Sequence, residues 1–138
     1  MPRKALNREQ TQRALGDLCR AFVVPRPKLL WSPGFDHGTT VVPCYPGNPV
    51  RGEVHLGPNA GNGVEATLIH EFGHVLYYYR TLIPESDRHN NTYFHCLVDV
   101  AEYYYGHPRR YDWNWEKGSN QEEYHQLYLW AKEAGLCK

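Results

Sequence analysis

Residues 70–74 read His-Glu-Phe-Gly-His, and this pentapeptide constrains the chain more than any other segment. Residues four apart on an α-helix lie on the same face, one turn apart. If the segment is helical, His70 and His74 present two imidazole rings to one point, and Glu71 lies beside them. Two imidazoles at this spacing bind a metal ion, and the glutamate between them can act on a metal-bound water. The pattern therefore predicts a metal site on a helix.

The sequence around the pentapeptide predicts that helix, at about residues 64–80. Its apolar residues recur at helical spacing and form one stripe: Val64, Leu68, Phe72, Val75 or Leu76, and Tyr79. His70, His74 and Tyr77 fall on the other side of the same helix. We expect the stripe to face the core, which leaves both histidines for a metal site in a cleft.

A third ligand has to come from elsewhere, because catalytic zinc usually has three protein ligands and a water. The downstream residues with suitable side chains are His89, His95, Glu102 and His107, with Asp99 as a weaker candidate. His89 lies at the end of a loop, 15 residues after His74, and Glu102 lies on the following predicted helix, 28 residues after His74. The residues alone leave His89 and Glu102 open.

The rest of the chain predicts an α+β fold with one domain over residues 1–138. We expect an N-terminal helix, a small and mostly antiparallel sheet, the motif helix, a following helix and a C-terminal helix. The remaining helices are predicted at about 7–23 (capped by Asn7), 92–105 and 119–135 (capped by Ser119), and the strands at 28–31, 39–45 and 53–56.

The strand at 53–56 shortly precedes the motif helix, and we predict that it forms an exposed sheet edge. Extended peptides often bind by adding a strand to such an edge. Side chains alternate along a strand, so Val54 and Leu56 would point one way, and Glu53 and His55 the other. His55 is therefore predicted to line the cleft.

Composition excludes several classes of function. Fifteen basic residues balance fifteen acidic ones, so the net charge gives no support for binding to nucleic acid. No segment approaches the roughly 18 apolar residues that span a membrane, and the N-terminus has no export signal, so we expect a cytoplasmic protein without a membrane contact. The four cysteines form no Cys-x-x-Cys pair and are predicted to be free thiols.

Two segments together resemble a known family, the SprT-like (or Spartan-like) metalloproteases. The segments are Leu-Ile-His-Glu-Phe-Gly-His-Val-Leu at 68–76 and His-Asn-Asn-Thr-Tyr-Phe at 89–94. That family has an apolar dipeptide before its HExxH helix, and a third histidine after a short charged loop, followed closely by an aromatic residue. The resemblance covers roughly residues 10–106. It implies a zinc site formed by His70, His74 and His89, with Glu71 as the general base.

The chain also departs from the family. Members typically have His-Gly-x-x-Phe at the third histidine, whereas this chain has Asn90 in place of the glycine and an aromatic residue, Phe94, one position later. The C-terminal zinc ribbon of many bacterial members is replaced by an aromatic segment and a final helix over 107–138. Trp113 and Trp115 in that segment either cover the core or form a partner site.

The expected function is a zinc-dependent metalloendopeptidase with one catalytic Zn²⁺ and a protein or peptide as substrate. Eukaryotic members of the family cut proteins crosslinked to DNA, so the resemblance implies a DNA association that the net charge does not support. Two alternatives stay open: a regulatory module whose zinc is closed by a fourth ligand, and a protease dedicated to one regulatory partner. The sequence predicts no oligomeric state.

Two supporting roles also stay open at this point. The side chains close enough in sequence to stabilise an oxyanion are Tyr77, Tyr78, Tyr93 and His95. Asp99 or a backbone carbonyl would hold one ligand histidine in the tautomer that binds the metal.

Overall fold

The computed structural model describes residues 6–32, 38–41, 52–57, 63–83, 89–114 and 122–137. This part of the chain contains four α-helices and three β-strands, so the predicted α+β class is confirmed. The helices are α1 (Arg8–Phe22), α2 (Val64–Thr81), α3 (Asn91–Tyr105) and α4 (Glu122–Glu133). The strands are β1 (Lys28–Trp31), β2 (Gly38–Val41) and β3 (Glu53–Leu56), and a short 3₁₀ helix, Pro108–Arg110, follows α3.

Helix α1 begins at the cap that the sequence predicted. The Asn7 side chain accepts a hydrogen bond from the backbone N–H of Gln10 (2.8 Å), and the Gln10 side chain accepts one from the backbone N–H of Asn7 (3.0 Å). This reciprocal pair satisfies two of the backbone donors that a helix start leaves without partners. Leu15 and Leu18 are fully buried and attach the helix to the core.

The sheet has the strand order β1-β3-β2, with β1 parallel and β2 antiparallel to β3. It is therefore a mixed sheet, where the sequence favoured mostly antiparallel pairing. The prediction that residues 53–56 form an exposed edge is wrong, because β3 is the central strand. Alternation reports which face of a strand is buried but not which neighbours it has, so the strand order could not be deduced from it.

His55 lies on the sheet face that points away from α2. Val54 and Leu56 are fully buried, and Thr40, which pairs with Val54 in the register, bonds to a residue of α2. The His55 side chain is on the other face, where its Nε2 lies 3.2 Å from a carboxylate oxygen of Glu53. The predicted alternation is confirmed, but the prediction that His55 lines the cleft is wrong.

Helix α2 is the central element of the fold. It packs against α3, α1 and strands β2 and β3, and it is buried on nearly all sides from Val64 to Tyr77. The sequence predicted one apolar stripe and one open side. The side that carries the histidines is covered as well, because α3 packs over it. No helix among the described residues is both long and apolar enough to cross a membrane.

Trp113 belongs to the core. Its ring is almost completely buried and packs against Phe94 and Tyr111, with ring centroids 5.6 and 4.8 Å away. Its indole N–H donates a hydrogen bond to the carbonyl oxygen of Pro108 (2.9 Å). The segment after α3 therefore covers the core, which is one of the two roles that the sequence allowed for Trp113.

Cys19, Cys96 and Cys137 are free thiols, as predicted. Burial raises the pKa of the Cys19 thiol to about 11, so this thiol stays protonated and unreactive at neutral pH. Several other predictions lie outside the described residues: the state of Cys44, the role of Trp115, the Ser119 cap and the continuation of the second strand over 42–45.

We predict that Leu97→Ala lowers the free energy of unfolding by about 2–5 kcal/mol, because Leu97 is fully buried on α3 and truncation leaves a cavity. Leu129→Ala is the matched control: Leu129 is 41% exposed, and its truncation should cost about 0.5 kcal/mol or less. Urea denaturation of the two variants measures the difference. Equal losses would contradict the packing described here.

Candidate metal centre

Three buried histidines meet between α2 and α3. The Nε2 atom of His89 lies 3.1 Å from Nε2 of His70 and 3.1 Å from Nε2 of His74. The exposed fractions of the three residues are 2% for His70, 4% for His74 and 5% for His89. Their ligand atoms all lie within 4.8 Å of one another, which is close enough to bind one metal ion.

Local structure explains why His89 lies there. His70 and His74 are one turn apart on α2, and His89 comes directly before Asn90, the N-cap of α3. The Asn90 side chain accepts a hydrogen bond from the backbone N–H of Tyr93 (2.9 Å), and its amide donates to the Tyr77 hydroxyl (3.1 Å). Asn90 thus caps the N-terminus of α3 and links it to α2 through a hydrogen bond.

Asn90, which stands where SprT-like proteases have a glycine, is the N-cap of α3 in this chain. Asparagine is among the preferred N-cap residues, so an asparagine directly before an apolar helical pattern was a signal that could have identified it. Asn90 was not predicted as the cap from the sequence.

Tyr93 contacts the histidines from α3. Its ring stacks on His74 with centroids 4.3 Å apart and planes at 22°, and its hydroxyl donates a hydrogen bond to the carbonyl oxygen of His70 (2.7 Å). A Cβ atom at Gly73 would lie 3.0 Å from the Tyr93 ring, so the absence of a side chain at this position makes room for the ring. Tyr93 was a candidate oxyanion stabiliser, but this hydroxyl bonds to the backbone of α2.

Hydrogen bonds account poorly for the three converging Nε2 atoms. An imidazole nitrogen carries either one hydrogen or one lone pair, never both. Nε2 of His89 can therefore bond to both His70 and His74 only by sharing its one hydrogen or lone pair between them, as a weaker three-centre bond. A cation between the rings would accept all three lone pairs. The donor set thus fits a metal ion better than it fits a hydrogen-bond network.

Protonation and spacing also fit a metal. Burial, and then the nearby His70 ring, lower the pKa of His89 to about 3, and burial with both neighbouring rings holds the pKa of His74 well below its usual range. Both rings are therefore neutral at pH 7, as metal ligands must be. Zn–N distances of about 2.0–2.1 Å separate tetrahedral ligand nitrogens by roughly 3.3 Å, close to the observed contacts.

The second ring nitrogen of His74 has an unusual environment. Its Nδ1 is buried and has no hydrogen-bond partner among the described residues. Asp99 was a candidate to hold a ligand histidine, but its carboxylate pairs with the Arg80 guanidinium at 2.7 Å. The stacked Tyr93 ring is the contact that fixes the His74 plane.

Glu71 is buried between α2 and the sheet, on the same helix as His70 and His74. One carboxylate oxygen, Oε1, accepts a hydrogen bond from the hydroxyl of Thr40 on β2 (2.8 Å). Thr40 was not among the site residues predicted from the sequence. The two residues are 31 positions apart, and the strand register that joins them has no local sequence signal.

The other candidate ligands lie away from this cluster. Glu102, His95 and His107 are exposed. Among the described residues, the group that can hold a metal consists of His70, His74 and His89. The structure therefore brings His89, rather than Glu102, to the two motif histidines.

Comparisons with known proteins assign no family to the chain. No protein-family model, no curated protein and no solved structure matches it. Any functional interpretation therefore depends on the geometry of the centre.

We predict that the metal-free protein loses stability as the pH falls below about 6.5. The unfolded His89 binds a proton near its ordinary pKa of 6.5, whereas in the folded chain the pKa is about 3, so acid favours unfolding over this interval. For one such histidine the free energy of unfolding falls by about 2 kcal/mol between pH 7 and pH 5. Urea denaturation of the chelator-treated protein measures it.

His89→Gln should weaken this pH dependence because it removes one titrating group. His95→Gln is the matched control, since this exposed histidine is solvated in the folded and in the unfolded chain. An unchanged slope in His89→Gln would contradict the neutral, buried state of the ring.

We also predict that His89→Ala lowers metal affinity by at least about 100-fold, since it removes one of three converging donors. Glu102→Ala should bind metal as the unaltered chain does, because Glu102 is exposed and lies away from the cluster. Competition with a chromophoric chelator measures both affinities. A large loss in Glu102→Ala would assign the third ligand to that residue instead.

Proposed function

We propose that this chain is a zinc-dependent metalloendopeptidase that uses Glu71 as its general base. The observation that carries the proposal is the convergence of the Nε2 atoms of His70, His74 and His89. Glu71 lies on α2, the helix that carries His70 and His74. The resemblance to SprT-like proteases points to the same chemistry, although it depends only on these motif residues and their spacing.

Zinc is the metal that best suits the donor set. Neutral imidazoles bind zinc well, and three protein ligands leave a fourth tetrahedral position for water. The cluster has three members within the part of the chain that the structure describes, which matches a catalytic rather than a structural site. When bound, zinc would polarise the scissile carbonyl and lower the pKa of a water to roughly 7.

The residues of the chain then have separate tasks. The three histidines hold the metal with neutral rings, and Tyr93 keeps the His74 ring in its plane by stacking. Glu71 accepts the proton of the attacking water and delivers it to the nitrogen of the leaving amine. Thr40 holds the Glu71 carboxylate through its hydroxyl.

An extended peptide is the substrate class that suits the surroundings of Glu71. Strand β2 is an outer strand of the described sheet, and its Thr40 contacts the carboxylate. A peptide that pairs with the outer edge of β2 would pass beside Glu71. This assignment moves the peptide-binding edge from residues 53–56, where the sequence put it, to residues 38–41.

A second candidate is a regulatory zinc-binding protein without catalytic activity. The burial of the three histidines favours it, because each of them is at most 5% exposed and the centre admits little solvent. A fourth protein ligand would close such a site. Cobalt substitution separates the two candidates, since the visible spectrum of bound Co²⁺ reports an exchangeable water through its response to azide.

We predict that Glu71→Gln abolishes proteolysis and keeps one bound zinc per chain. The amide cannot accept the proton of the water, and loss of a general base typically costs about 10²–10⁴-fold in rate. Glu102→Gln is the matched control and should keep both activity and zinc, because Glu102 is exposed on α3. Cleavage of casein and of a mixed peptide library, read by mass spectrometry, measures activity, and elemental analysis measures zinc.

Full activity in Glu71→Gln would exclude Glu71 as the base. One bound zinc in the unaltered chain, with no cleavage of either substrate and no azide response of the cobalt form, would favour the closed regulatory site.

A further inference from the structure

The Thr40 hydroxyl meets Glu71 at two points. Its Oγ1 lies 2.8 Å from the carboxylate oxygen Oε1 and 3.1 Å from the backbone carbonyl oxygen of the same residue. One atom of β2 thus bonds to both the carboxylate and the backbone of Glu71. The Glu71 side chain cannot rotate away from this position without breaking the carboxylate contact.

The two contacts differ in strength. A threonine hydroxyl carries one hydrogen, which can point to one acceptor or be shared between two. The carboxylate contact is the shorter one, 2.8 Å against 3.1 Å, and lies at the usual distance of an O–H···O hydrogen bond. The main effect of the hydroxyl is therefore on the carboxylate.

Gly38 makes room for the Glu71 side chain because it has no side chain of its own. A Cβ atom at this position would lie 2.7 Å from Cγ of Glu71 and 2.7 Å from a methyl carbon of Thr67. Gly38 does not have a positive φ, so its role is steric: it lets β2 lie directly against α2 at Glu71. Glu71 is thus packed by one residue of β2 and hydrogen-bonded by another.

We propose that Thr40 is a positioning residue that aims the Glu71 carboxylate, and that Gly38 provides the close approach that this contact needs. The inference rests on the proposed function and deepens it. The strand that orients the base is also the strand whose edge suits a peptide. Strand β2 would therefore position both the general base and the backbone of a bound peptide, so that no other element is needed to align the two.

Thr40→Val tests the hydroxyl with almost no change in shape. We expect kcat to fall at least about tenfold, because small misplacements of a catalytic group are costly, while KM changes by less than about twofold. Thr40→Ser keeps the hydroxyl and should retain kcat within about threefold. Thr92→Val, an exposed threonine on α3, is the matched control and should behave as the unaltered chain. Each variant is measured with its zinc content.

A second readout needs neither metal nor activity. In the chelator-treated protein, Thr40→Val should lower the urea midpoint more in the unaltered background than in a Glu71→Ala background, because the carboxylate contact exists only in the former. Gly38→Ala should also lower kcat, since the added methyl group forces Glu71 or the strand to move.

The outcomes separate the two proposals. An active chain whose kcat is unchanged by Thr40→Val, or lowered equally by Thr40→Val and Thr40→Ser, overturns the positioning role and leaves the proposed function intact. Equal midpoint shifts in the two backgrounds also overturn it, whatever the activity. A zinc-loaded chain that cleaves no substrate, and whose cobalt form does not respond to azide, overturns the proposed function and with it the positioning role.

Discussion

The contact between α2 and α3 around Tyr93 is the interaction on which the centre depends. The Tyr93 hydroxyl bonds to the carbonyl of His70, its ring stacks on His74, and its backbone N–H bonds to the Asn90 cap that follows His89. All three histidines are therefore positioned through one residue. A buried tyrosine packs through its ring and is oriented by the hydrogen bond of its hydroxyl. A leucine at the same position would pack but would form no hydrogen bond.

Burial of the three histidines also costs free energy of folding. Burial favours the neutral form of the His74 and His89 rings, and the buried Nδ1 atom of His74 has no hydrogen-bond partner among the described residues. The surrounding core offsets this cost, since α2 is buried along most of its length. A metal ion that binds only the folded chain would stabilise it further, so metal content and fold stability are linked.

The sequence predicted the local features well and the long-range ones poorly. Helix α2 and the strands at 28–31 and 53–56 follow from apolar periodicity and turn residues, and the histidine spacing follows from helix geometry. The third histidine needed the family resemblance, because spacing alone left Glu102 open. The central position of β3 and the Thr40 contact depend on which strands pair, and no local pattern in a single sequence encodes that.

The two halves of the centre have separate supports. Helix α3 fixes the histidines through Tyr93 and Asn90, whereas β2 fixes Glu71 through Thr40 and Gly38. Mutational drift can therefore act on the two halves independently. A single methyl group gained at position 38 would disturb the carboxylate and spare the histidine cluster. Under the proposed function, such a change would lower catalysis while leaving the metal-binding group of three histidines in place.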